Sequence, residues 1–200
     1  MSNCMVIDLK KCVGCHGCAT ACKAAHGTPR GVTRAHVRAE VTGTYPDVRR
    51  VHVPMMCMQC SNPACVAACP NEATWKGEDG IVVIDKTKCI GCGLCVQACP
   101  YEARYVVSTA DGYFGADLTE YEQIAAAGMP AGTTDKCNWC KERLDKGGAQ
   151  ACVTACTAGA RIFGDYEELK SLIESRNGYQ LMADSGTEPN VWYLPDFVNE

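Results

Sequence analysis

Nowhere in this 200-residue chain do about 18 apolar residues run together, so no segment is long and apolar enough to span a bilayer as a helix. The start, Met1-Ser2-Asn3-Cys4-Met5-Val6-Ile7-Asp8, lacks the basic region and apolar segment of a cleavable secretory signal. Two expectations follow: cytoplasmic residence, or export in folded form beside a partner that carries the signal. Long blocks of like charge are also missing. With a net charge of −4 and a pI near 5.6, the chain has neither a polybasic membrane patch nor an electrostatic footprint for nucleic acid. A Ser-His-Asp set, a phosphate loop and a dinucleotide motif are absent too, which argues against an independent active site. Bulky apolar residues are scarce, with only three Phe. Setting the 17 cysteines aside leaves about 77 apolar residues, a thin core for a chain of this length. Metal–thiolate bonds are expected to make up part of the difference.

What the sequence does have is cysteine, in four groups of four. Group one is Cys12, Cys15, Cys18 and Cys22, with the spacing C-x2-C-x2-C-x3-C. Group two is Cys57, Cys60, Cys65 and Cys69, followed by Pro70. Group three is Cys89, Cys92, Cys95 and Cys99, spaced as group one and followed by Pro100. Group four is Cys137, Cys140, Cys152 and Cys156, with eleven residues between its second and third members. Cys4 is left over.

Groups one and three match the bacterial ferredoxin run. Three thiolates within seven residues wrap a tight loop around three irons of one cubane. The fourth Cys begins a short helix that reaches a different cubane, so two such runs exchange their last ligands. Sixteen ligands at four per cubane give four [4Fe–4S] clusters. Disulfides fit poorly with an odd count, a repeating spacing and no signal. Zinc sites use pairs of C-x2-C rather than a triplet with a distant singlet. A thioredoxin-like redox role needs one such motif, not an array. Gly14, Gly17, Gly91 and Gly93 suit loops whose backbone approaches sulfur closely, or are simple turn glycines.

The sequence repeats itself. Met5–Cys12 resembles Ile81–Cys89: a short apolar strand, an Asp, a basic turn, then a cluster loop. Arg104-Tyr105-Val106-Val107 and Arg161-Ile162-Phe163-Gly164 are expected return strands. Outside the repeat, Asp117 is expected to cap a helix with Leu118, Tyr121, Ile124 and Ala125 on one face, stopped by Gly128 and Pro130. Surface packing or a partner contact would each explain it. Asp165 with Glu168 predicts a second helix start, with Leu169, Leu172 and Ile173 on its apolar face and Gly178 at its end. Val191–Pro195 is a short apolar tail, free to dock on the body or on a partner.

The order of the four groups, the wide gap in the last, and the Cys-Pro endings of groups two and three resemble one family closely. So do Cys99-Pro100-Tyr101-Glu102-Ala103-Arg104 and Gly186-Thr187-Glu188-Pro189. These are the four-cluster iron–sulfur subunits of molybdopterin oxidoreductases, of the dimethyl sulfoxide reductase, polysulfide reductase and pyrogallol hydroxytransferase type. The resemblance implies an α+β fold of two interleaved bacterial-ferredoxin-like units, each with short strands and short helices around two clusters. Residues 1–50 with 135–165 would form the first unit and 51–108 the second, with an insertion at 109–134 and a C-terminal helix and tail at 165–200. It further implies the ligand sets Cys12, Cys15, Cys18 with Cys156; Cys137, Cys140, Cys152 with Cys22; Cys57, Cys60, Cys65 with Cys99; and Cys89, Cys92, Cys95 with Cys69. In nitrate-reductase-like relatives a Trp replaces one group-three Cys and leaves a three-iron cluster. Cys92 is present here, which implies four cubanes. The insertion is longer than in compact relatives.

The implied role is an electron wire serving a molybdopterin (Mo or W) catalytic subunit, in complexes that often add a membrane quinone-reactive subunit. A carrier for a hydrogenase or formate dehydrogenase system is the alternative, and a zinc-stapled structural protein a distant third. Lys10, Lys11, Lys23, Lys86, Lys88, Lys136 and Lys141 lie near ligands in sequence, as solvated turn residues or as charges offsetting the clusters. His16 and Trp139 sit between ligands, where they would tune or shield.

Overall fold

The computed structural model describes residues 3–109, 111–126 and 128–196. In chain order, and among the described residues, the elements are β1 (Asn3–Asp8), α1 (Gly17–His26), β2 (His36–Thr42), β3 (Arg49–Met55), α2 (Ala64–Ala67), β4 (Thr74–Lys76), β5 (Val82–Ile84), α3 (Leu94–Gln97), β6 (Arg104–Val106), α4 (Glu120–Ala126), β7 (Thr134–Lys136), α5 (Lys141–Leu144), α6 (Ala151–Thr154), β8 (Arg161–Asp165), α7 (Tyr166–Ser175) and β9 (Val191–Leu194). Most are three or four residues long, as expected where loops rather than ladders hold the protein together.

β1 is the organising strand. It pairs antiparallel with β8 and parallel with β9, giving the sheet order β8-β1-β9. Its run of apolar residues is buried on both faces, the pattern of a strand covered from two sides. Met5 and Ile7 point into the larger core with Val53, Met58, Tyr101 and Trp139. Cys4 and Val6 point the other way, against Ile173 of α7 and Leu194. The apolar tail is therefore part of the body, as β9.

The Asp165 carboxylate accepts the Glu167 amide at 2.9 Å and caps α7. The helix stops at Ser175, before Gly178. Asn177 takes φ 49°, and the Gly178 amide folds back to the Ile173 carbonyl at 2.7 Å.

The remaining strands form three antiparallel hairpins: β2–β3, β4–β5 and β6–β7. β8 returns to β1, as the repeat suggests. β6 does not return to β5; it pairs with β7, Arg104 opposite Lys136. The insertion is the loop of this hairpin, whose ladder continues through Val107 N to Thr133 O at 2.8 Å. Packing of the short helices is pairwise, α1 on α6 and α2 on α3.

Inside the insertion the cap is Thr119, not Asp117, so Leu118 precedes the helix. The Glu122 amide donates to the Thr119 hydroxyl at 3.3 Å, and the Glu122 carboxylate accepts the Thr119 amide at 2.9 Å. This is a reciprocal capping box. Tyr121 donates to the Ala24 carbonyl, and Ala125 sits over Gly27, where a Cβ would fall 2.0 Å from the Ala125 methyl. Gly27 also has φ 56°, so both the turn and the contact require glycine. Ile124 faces solvent rather than the same surface.

Candidate metal centres

Cys12, Cys15, Cys18 and Cys156 line one cavity together with Arg161. The loop carrying the first three turns through Gly14 at φ 68°, where His52 of β3 packs against the backbone and leaves no space for a Cβ. The Ala160 amide donates to the Cys156 sulfur at 3.2 Å.

Cys69, Cys89, Cys92 and Cys95 line a second cavity, with Arg104 and Thr134 in its wall. Thr134 directs its amide at the Cys89 sulfur, 3.3 Å away, and its hydroxyl lies 3.5 Å from the same atom. Burial pushes the Cys89 thiol up. The Thr134 hydroxyl and amide, the Gly91 amide and Lys86 outweigh it, and the net direction is down.

The other eight cysteines lie deeper. Burial, then the charges of Cys152 and Cys140, push the Cys22 thiol up to about 12 against the opposing pull of Arg34. Burial, then Cys57, push Cys60 up to about 12, with Cys65 and Cys99 adding to it. Cys137 is raised by burial, then by Cys22, Cys57 and Cys152, so it has cysteines of groups one, two and four around it. Cys152 in turn feels Cys18 of the first cavity. Thiols so reluctant to ionise in bare protein become thiolates when a metal binds them, and iron bound there supplies folding energy. Sulfur-only donor sets, buried loops and amides aimed at sulfur suit iron–sulfur clusters well.

Cys4 stays apart from the sixteen. It lies 1% exposed under α7, and burial, then Asp165, push its thiol up to about 11.

His26 packs on group four at Cys140. Its Nε2 is 3.1 Å from the Cys140 sulfur and its Nδ1 3.0 Å from a Glu142 carboxylate oxygen. The lysines divide. Lys136 is buried and donates to the Val82 and Cys137 carbonyls, Lys86 donates to the Thr134 carbonyl and pairs with Asp135 at 2.9 Å, and Lys23 binds three carbonyls of the 28–32 loop. Lys141 pairs with Asp79 and Asp145. Lys10, Lys11 and Lys88 are exposed, as is His16. Trp139 is buried edge-on against Phe163, 5.2 Å between centroids, and its backbone amide donates to the Cys137 sulfur at 3.4 Å. Three residues carry weight here without having stood out in the sequence. Arg104 and Arg161 reach the sulfurs, and Gln59 ties groups two, three and four together. The repeat held a signal for the arginines, since each lies five residues after the last Cys of its group. The two segments 99–104 and 186–189 touch one another, with Tyr101 Oη 2.7 Å from Thr187 Oγ1.

Comparison with known proteins agrees with this chemistry. Two 4Fe-4S dicluster domain families match, one over residues 4–70 and the other over 48–114. The sequence is 43% identical to a selenate reductase subunit of Mesobacillus selenatarsenatis, covering 95% of this protein and 70% of that one. It is 36% identical to the arsenate respiratory reductase iron-sulfur subunit of a Shewanella species, over 96% of both proteins. A polysulfide reductase component of Wolinella succinogenes is 34% identical, over 96% of this protein and 93% of its own length. The protein belongs to the iron–sulfur subunits of molybdopterin oxidoreductases. As such a subunit it has a ferredoxin-like architecture of mixed helix and strand, holds four [4Fe–4S] clusters, and transfers electrons within an oxidoreductase complex. Among the described residues, no helix of the iron–sulfur subunit is long and apolar enough to cross a membrane.

Proposed function

We propose that the iron–sulfur subunit is a four-site wire for a molybdopterin catalytic subunit, with no active site of its own. The observation that supports this best is the succession of foursomes. Cys152 feels Cys18, Cys137 feels both Cys22 and Cys57, and Arg104 feels both Cys65 and Cys95. The ligand sets we assign are Cys12, Cys15, Cys18 and Cys156; Cys22, Cys137, Cys140 and Cys152; Cys57, Cys60, Cys65 and Cys99; and Cys69, Cys89, Cys92 and Cys95. They make two interleaved ferredoxin-like units, 1–50 with 135–165 and 51–108, in keeping with the packing of α1 on α6 and α2 on α3. Bound clusters supply one-electron relay sites. The protein's part is to hold each set at fixed spacing, exclude water with side chains such as Trp139, and set potentials through charge and N–H···S bonds. The relatives named above are reductase components, which favours this reading over a hydrogenase or formate dehydrogenase carrier. A membrane quinone-reactive third subunit and partner docking at the insertion, where Phe114 and Ile124 are exposed, complete the proposal.

The test is metal and sulfide analysis of protein purified without oxygen beside its native partner. About sixteen iron and sixteen sulfide per protein molecule with molybdenum or tungsten are expected. Iron without either metal in the complex would remove the partner class, and zinc in place of iron would remove the wire. Cys12→Ser and Cys156→Ser should perturb the same one of four paramagnetic signals, and Cys22→Ser and Cys137→Ser a different one.

A further inference from the structure

Arg104 and Arg161 occupy equivalent places. Each lies five residues after the last Cys of its group and opens a strand, β6 or β8. Each is nearly sealed from solvent, 4% and 3% exposed. Burying a guanidinium is costly unless it is paired and hydrogen-bonded. Among the described residues, neither has a carboxylate partner. Arg104 donates one bond, from Nη2 to the Thr74 hydroxyl at 2.6 Å, and Arg161 places Nη1 3.2 Å from the Met56 sulfur. Nε and Nη1 of Arg104, and Nε and Nη2 of Arg161, have no hydrogen-bond partner among the described residues. Two buried cations with unmet donors, at repeated positions, are aimed at something negative.

Arg104 stands in the wall of the cavity lined by Cys69, Cys89, Cys92 and Cys95, and Arg161 in that of Cys12, Cys15, Cys18 and Cys156. Cysteines of a second proposed set lie on the other side of each. Arg104 faces Cys65 and Cys57 on one side and Cys95 on the other. Arg161 faces Cys152 and Cys137 on one side and Cys18 on the other. A guanidinium spreads five donors over a flat fork and stays charged, so one side chain can serve acceptors on both sides.

We infer that Arg104 and Arg161 are the internal counter-cations of the two cluster pairs, each directing N–H groups at the sulfur of two neighbouring clusters and raising the potentials of both. The inference rests on the ligand sets proposed above. A cation and hydrogen bonds at sulfur favour the reduced, more negative state. Each arginine therefore sets two potentials together, and the four relay sites divide into two jointly tuned pairs. Both are positioning residues, acting through the clusters rather than on a substrate.

The experiment is a redox titration of the whole complex, followed by electron paramagnetic resonance, for Arg104→Gln and Arg161→Gln. Each substitution is expected to lower two of the four midpoint potentials by at least the equivalent of tenfold in the reduced-to-oxidised ratio, about 59 mV for one electron. The pair moved by one variant should not overlap the pair moved by the other. A variant with full iron content and unshifted potentials overturns the inference, as does a shift confined to one cluster. Should a variant fail to assemble, unaltered protein carrying 15N-arginine answers the same question. Pulsed resonance should find guanidinium nitrogen coupled to the reduced clusters, and absence of that coupling overturns the inference. The ligand sets stand or fall separately, on the cysteine substitutions described above.

Discussion

Arg34 and Asp135, 101 residues apart in sequence, meet in a two-point ion pair, with Nε 2.7 Å from Oδ2 and Nη2 3.0 Å from Oδ1. Asp135 is buried and Arg34 largely so, and Lys86 and the Tyr105 hydroxyl close on the same carboxylate at 2.9 and 2.7 Å. Burial works against the Asp135 charge, but Arg34 and Lys86 outweigh it and bring its pKa down to about 2. The pair ties the segment after α1 to the strand entering group four.

Asp135→Ala therefore leaves two partly buried cations facing each other without their shared carboxylate. Removing one partner of a buried pair costs about 3–5 kcal/mol. Bleaching of the visible cluster absorption on heating should begin roughly 10 °C lower, at about 2–4 °C per kcal/mol for a protein of this size. An unchanged bleaching temperature would show that the pair is dispensable.

Gln59 is fully buried, with its Nε2 donating to the Cys137 carbonyl and its Oε1 accepting the Val82 amide, both at 2.8 Å. Gln59→Leu strands the Val82 amide, at about 1–3 kcal/mol, and leaves the Cys137 carbonyl to Lys136 alone. Gln59→Glu keeps the acceptor, loses the donor and buries a charge, so it should be the worse of the two. Urea midpoints of the holoprotein should fall in the order native, Leu, Glu; a Glu variant as stable as native would contradict this geometry.

Thr119→Ala removes half of an exposed capping box, a loss of about 1 kcal/mol. Amide exchange in α4 should quicken while the cluster absorption stays as it was. Loss of iron in this variant would mean that the insertion supports the centres after all.

Thiol reagents give a fourth test. With sixteen cysteines ligated as proposed and Cys4 buried with its thiol pushed up to about 11, the loaded protein should offer no fast-reacting thiol. After iron is chelated, all seventeen should react and the circular dichroism of the fold should fade, because thiolate–iron bonds contribute its folding energy. One prompt thiol in the loaded protein would leave a member of the sixteen without iron.

Local geometry explains which features were legible in the sequence. A cluster loop is written in a few consecutive residues, so the four groups of cysteine stood out. The α7 cap did too, since Asp165 needs only its near neighbours. Pairing of β6 with β7 did not, because strand partners across a long insertion leave no mark on either strand. The helix in the insertion was legible, but its start was placed two residues early. Thr119 and Glu122 form the reciprocal box, and the earlier Asp117 drew the cap toward itself. Gln59 and Arg34 look like ordinary polar residues in sequence; only burial against distant backbone and a distant carboxylate gives them their roles. The cations that the sequence sets beside the ligands are lysines, close to them along the polypeptide. Charge acts through space, and Arg104 and Arg161 reach the sulfurs from strands.

The placement of β1 at the centre of its sheet sets a timetable for biogenesis. Its two neighbours, β8 and β9, are both translated more than 150 residues after it. Group one therefore emerges well before the strands that cover β1 and, on the ligand sets proposed above, well before Cys156. Throughout that interval the nascent polypeptide presents unshielded thiols and an apolar strand with open edges. On those proposed ligand sets, iron delivery to this end of the molecule is timed by the synthesis of group four rather than by the appearance of the first cysteines.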